Sequence, residues 1–137
     1  MKRILALLVA ALATSAFAEP CLRASDVQQP DMLGLWRAEL EGVGQVGTLL
    51  LQKHPEYSES FSGWIDRNGE RRQLAGDVED GEFTLEESAD GVHIAANWVG
   101  DVVDGSCGKE ARGVWTVDGA KSGKPFVLRR DQGLSRP

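Results

Sequence analysis

Residues 61–88 read FSGWIDRNGERRQLAGDVEDGEFTLEES. Three short segments lie here, near Ser60–Arg67, Arg71–Val78 and Glu82–Glu87, and each is too short for a typical helix. Between the first two stands Asn68-Gly69, a pair that tolerates the positive φ angles of a tight hairpin. Asp80-Gly81 repeats that chemistry before the third. In the third segment Phe83 and Leu85 alternate with Thr84 and Glu86, the period of a strand with one buried face. Leu74, Gly76 and Val78 form a matching set in the second.

The same pattern extends in both directions. Asp90-Gly91, Asp104-Gly105 and Asp118-Gly119 mark further turns. Five more segments read as strands, near Leu33–Leu40, Val46–His54, Val92–Val99, Lys109–Val117 and Pro125–Arg130. Inward sets follow from alternation: Val92, Ile94, Ala96 and Trp98; Gly113, Trp115 and Val117; Phe126, Leu128 and Arg130. Trp64 is out of phase with Phe61 and Ile65, so either it or they face outward. No stretch holds a 3.6-residue apolar period over ten residues. Eight strands in hairpin order, each with one apolar face, are best buried by closing the sheet. The expected fold is all-β: an antiparallel up-and-down barrel over residues 33–130. Its interior would be filled by side chains or hold one small ligand.

The N-terminus carries an export signal in its usual order. Lys2 and Arg3 precede the apolar run Ile4–Leu12, and Ala16-Phe17-Ala18 is a small-x-small cleavage site. Residues 1–18 are therefore expected to be removed. The run is shorter than the ~20 residues a bilayer span requires, and no later segment approaches that length, so no membrane anchor is expected. Glu19-Pro20 before Cys21 does not suit lipid attachment. The expected location is the periplasm or the cell exterior. Residues 19–32 read as a polar arm, with a helical turn at Ser25–Gln29 and Ser25 as its N-cap. Residues 131–137 read as a flexible tail.

Cleavage leaves 119 residues, enough for one domain, with 13 Lys+Arg against 21 Asp+Glu. An acidic surface repels phosphate backbones, so nucleic-acid binding is not expected. Cys21 and Cys107 both lie in the exported part. An even count in an oxidising compartment favours one disulfide.

Gly34-Leu35-Trp36 opens the first strand and Arg129-Arg130 ends the last, with Arg130 in the inward register. With the meander, this resembles the calycin group of lipocalins, avidins and bacterial metalloprotease inhibitors. The resemblance implies that Trp36 packs across a closed barrel end beside Arg130. Avidins place hydrogen-bonding side chains soon after this Trp, where the chain has Ala38 and Gly42, so biotin binding is not implied. The inhibitors use a free N-terminal arm; here the arm carries Cys21, whose bridge would pin it.

Trp64, Trp98 and Trp115 are the candidate ligand contacts, since an indole at a barrel mouth is a good platform. Core filling is the alternative role for each. His54 and His93 are isolated, and no nucleophile-elbow motif is present. Residues 77–82 (DVEDGE) are acidic but lack calcium-loop spacing, and no metal or cofactor is expected. The expectation is a non-enzymatic, exported barrel that binds a small apolar or aromatic ligand or a protein partner. The alternative is an inhibitor of a secreted enzyme. Under non-reducing conditions, mass spectrometry of the exported protein should show two hydrogens fewer than the reduced chain; two free thiols would contradict the bridge.

Overall fold

The computed structural model describes residues 9–13 and 20–132. The cleavage site and most of the export signal lie outside the described residues, as do residues 133–137 of the expected tail. Eight antiparallel strands form a closed barrel in sequence order: β1 Gly34–Leu40, β2 Gly44–Lys53, β3 Phe61–Arg67, β4 Glu70–Glu79, β5 Glu82–Ser88, β6 Ala96–Val102, β7 Glu110–Val117 and β8 Lys124–Arg130. Closure comes from β1 pairing with β8, from Trp36 opposite Arg130 to Leu40 opposite Phe126. The tight turns use the expected chemistry. Asn68 and Asp80 take φ of 51° and 50°, each followed by a glycine also at positive φ.

The interior is packed by alternate residues. Trp36, Leu49, Leu51, Phe61, Ile65, Phe83, Leu85, Trp98, Phe126 and Leu128 are all buried. These aromatics fit because small residues stand between them. Gly100 and Gly113 face each other on β6 and β7. A Cβ on either would lie 2.0–2.1 Å from a backbone oxygen of the neighbouring strand. Glycine there permits the close backbone approach that curves the sheet.

The barrel has two unlike ends. The first carries the β2–β3, β4–β5 and β6–β7 connections and the N-terminal arm. The arm forms a short 3-10 turn at Ala24–Asp26 and one helical turn, α1, at Gln29–Met32. Val27 and Met32 are buried against the barrel. The expected single turn capped by Ser25 is thus replaced by two. Gln28 is the cap of α1, closed by a capping box with Asp31, and Pro30 supports the start of the turn. Cys21 and Cys107 are bridged, with Cα atoms 4.4 Å apart, and tie the arm to the β6–β7 connection.

At this end the Trp36 indole N–H donates to Met32 O at 2.8 Å. The Arg130 guanidinium lies over the Trp36 ring, 5.0 Å from its centroid. Arg130 Nη1 donates to Leu33 O at 2.7 Å, and Nη2 to Asp31 O. Gly34 has φ of 120°, and a Cβ there would sit 2.8 Å from Arg130 Nη1. The Gly-x-Trp arrangement therefore has a local cause: glycine clears the path of the guanidinium.

β6 begins later than the sequence suggests, at Ala96 rather than Val92. Asp90 is the reason. Its Oδ1 accepts the N–H groups of Val92 and His93, both at 2.8 Å, while Ser88 Oγ takes that of Gly91. These donors are lost to the sheet ladder, a local competition that Ser and Asp side chains often win. Val92 and Ile94 are consequently exposed rather than inward. Val117 is also exposed, because β7 ends there beyond the filled interior. Past β8 the pairing continues one step into the stretch expected as tail: the Asp131 N–H bonds Leu35 O at 2.9 Å.

Truncating Trp36 to Ala should cost ~3–5 kcal/mol, the usual range for a buried aromatic. Trp64→Ala, on the outer face, should cost much less. Urea melts of both variants check this; equal midpoints would contradict the assigned roles.

Candidate functional site

Four hairpin connections crowd the second end of the barrel, opposite the arm, and the inward residues there are not all apolar. Arg67 ends β3 and Arg72 lies near the start of β4, while Glu87 sits near the end of β5 with no exposed surface. Register places all three on the inner face, since Ile65 pairs Arg72 and Leu74 pairs Glu87. Glu87 Oε1 takes the Arg67 Nη2 donor and lies 3.7 Å from Arg72 Nε. Its Oε2 accepts from Trp98 Nε1 at 3.1 Å and Trp115 Nε1 at 3.3 Å. The Arg67 guanidinium also covers the Trp115 ring, 5.3 Å from its centroid.

A carboxylate leaves water only where other groups replace its hydration. Here two indole N–H donors and two guanidinium groups do so. The charge is not balanced one to one, because two cations share one buried anion. Arg72 also reaches the rim residue Glu70 at 3.4 Å. Arg67 Nη1 and Arg72 Nε are enclosed with no hydrogen-bond acceptor among the described residues.

The three tryptophans singled out from the sequence therefore separate. Trp98 and Trp115 meet, with ring centroids 6.2 Å apart, and Trp98 also packs edge-on to Phe126 at 5.1 Å. Trp98 has no exposed surface and fills the core; Trp115 is half-buried beneath Arg67. Trp64 points outward from β3, covered in part by Arg71 at 5.0 Å. Glu87, Arg67 and Arg72 escaped the sequence reading. The available signal was their in-phase spacing with Leu85, Ile65 and Leu74, which marks them as charges on an inner face.

The clearest concavity lies elsewhere, outside the barrel at the arm end. It is a groove of about 740 Å³ between the arm residues Val27–Pro30, the loop residues Ser58 and Glu59, and the β4–β5 hairpin. Asp77, Glu79, Asp80 and Glu82 join Glu59 along it, and no lysine or arginine lines it. The loop wall is held by Gln29, whose amide donates to Ser58 O at 3.1 Å and Ser60 O at 2.7 Å. His54 Nδ1 accepts the N–H groups of Glu56 and Tyr57, so His54 acts as a turn-forming side chain.

His93 is exposed, with Nδ1 2.7 Å from Asp90 Oδ2. That carboxylate raises the imidazole above its ordinary value. Asp90 is held well below the usual carboxylate range, first by His93 and then by the two backbone donors. Among the described residues, no group of three or more His, Cys, Asp or Glu is placed to hold a metal ion, and no helix is long and apolar enough to cross a membrane. In comparison with known proteins, no family model matches the chain and no curated protein matches it.

Glu87→Ala would leave two guanidinium groups facing each other without their shared anion. The expected loss is ~3–5 kcal/mol, as for breaking a buried pair from one side, read from denaturant melts. For His93, Asp90→Asn should lower the imidazole midpoint in an NMR titration. The contact stabilises the fold at pH below the unfolded imidazole value and fades as pH rises through the raised folded value; an unmoved midpoint would show that Asp90 is not its partner.

Proposed function

We propose that the chain is an exported, non-enzymatic binding protein whose ligand is another protein held on the outside of the barrel. The observation that carries this reading is the filled interior. Bulky aromatics occupy its middle, Trp36 and Arg130 cover one end, and the Glu87 network occupies the other. A lipocalin-like ligand would have to displace these groups. The groove at the arm end offers an alternative surface already shaped by three separate segments. Its acidic lining suits a basic segment of the partner. The export signal and the bridged cysteines support action in the periplasm or outside the cell.

Inhibition of a secreted enzyme is one form of this function. The arm is a poor plug, because Cys21 is bridged and Val27 and Met32 are buried. An inhibitory contact would use the loop at residues 54–60 or the β4–β5 hairpin instead. A small-ligand reading retains one observation in its favour: the two enclosed guanidinium donors, one of them on the Arg67 that covers Trp115, suit a carboxylate.

Two measurements separate these readings. A photo-cross-linking residue at Glu59 or Glu82 should capture one discrete partner in the native compartment, and Asp77→Lys with Glu79→Lys should abolish that capture. A titration with benzoate, followed at the Trp115 indole N–H by NMR, should give no saturable shift. Saturation with benzoate and no cross-linked partner would overturn the protein-partner reading in favour of the small-ligand one.

A further inference from the structure

The outer face of β6 and β7 repeats itself in a way that suits a two-fold axis. Three cross-strand rows stand there: Asn97 opposite Thr116, Val99 opposite Val114, and Asp101 opposite Arg112. The valine row continues to Thr84 on β5 and Pro125 on β8. Val99 and Val114 are 48% and 44% exposed.

We propose that this face binds a second copy of the chain, in an isologous dimer whose two-fold axis runs along β6 and β7, between them, at roughly 15° to each copy's strands. A rotation of 180° about that axis exchanges the strands and keeps each row in place. Val99 then meets the other copy's Val114, Asn97 meets Thr116, and Asp101 meets Arg112. Every contact occurs twice, as an isologous interface requires. A two-fold axis across the strands would instead set Asp101 over Asn97 and leave the arginines without a carboxylate.

The charges support this axis. Asp101 is exposed and makes no ion pair or side-chain hydrogen bond among the described residues. Arg112 spends one nitrogen on Glu110 at 3.2 Å, and its side chain remains 58% exposed. Face-to-face sheets cross at roughly 30°. Residues two apart on a strand lie ~7 Å apart, so that crossing shifts each charged row sideways by roughly 3–4 Å, within the reach of an arginine. Elsewhere an acidic chain would repel its copy, whereas this face is close to neutral. Three rows on two strands form a small interface, so the dimer dissociates readily and its population depends on concentration.

Sedimentation equilibrium of the exported protein, over a range of concentrations, tests the proposal. A reversible monomer–dimer equilibrium is expected. Val114→Glu should leave the circular dichroism spectrum unchanged and abolish the dimer. Asp101→Arg and Arg112→Asp, each alone, should weaken dimerisation by about tenfold or more by placing like charges together. The double swap should restore it, because the exchanged pair still meets across the axis. A chain that stays monomeric throughout, a dimer that survives Val114→Glu, or a double swap as weak as the single variants would overturn the proposal.

Discussion

The structure depends on one contact between the two ends of the barrel sheet. Arg130 is the last residue of β8, and its guanidinium lies on Trp36 of β1 while bonding the carbonyls of Asp31 and Leu33. A planar, weakly hydrated cation can stack on an indole and still donate along its edges. One side chain thereby joins the last strand, the first strand and the arm. An eight-strand sheet without this closure would leave β1 and β8 as open edges with unpaired backbone groups. The contact also dictates its surroundings: Gly34 must lack a Cβ, and Met32 O must be free to accept the indole N–H.

Once that end is shut, the arm has a fixed place. Val27 and Met32 complete the apolar layer above Trp36, and the disulfide holds the arm from the far side. The bridge closes a separation of 86 residues. On the chain-entropy view such a link removes ~4 kcal/mol of freedom from the unfolded chain. The arm is therefore a structural lid, and one wall of the groove beside it is tied to the arm by the Gln29 hydrogen bonds to Ser58 O and Ser60 O.

The opposite end is closed by different physics. A buried carboxylate between two guanidinium groups and two indoles gains little net stability over an apolar plug of equal volume. What it gains is uniqueness. Glu87 has four specific partners from β3, β4, β6 and β7, and a one-residue slip of any of these strands would turn a partner outward. The aromatic core fills the space between the two ends. On the outer surface acidic residues gather beside the arm and valines gather on β6 and β7.

The sequence by itself determined the strand count, the hairpin order, most inward faces and the partnership of the cysteines, while the Trp36–Arg130 end was implied by the calycin resemblance. These are legible because turn chemistry and two-residue alternation are local, and because glycine or proline marks nearly every change of direction. Only tertiary structure decided the start of β6, since Asp90 takes the Val92 and His93 backbone donors that the alternation of Val92 and Ile94 assigns to the sheet. It also decided the fates of three similar tryptophans. Trp64, Trp98 and Trp115 each occupy a strand, yet one lies outside, one in the core and one beneath an arginine. Their roles rest on neighbours 7 to 48 residues away, Arg71, Glu87 and Arg67 among them, whose positions exist only once the barrel has closed. Of the buried ion cluster the sequence holds only the inward phase of Arg67, Arg72 and Glu87; that the three converge on one carboxylate is decided by the closed barrel.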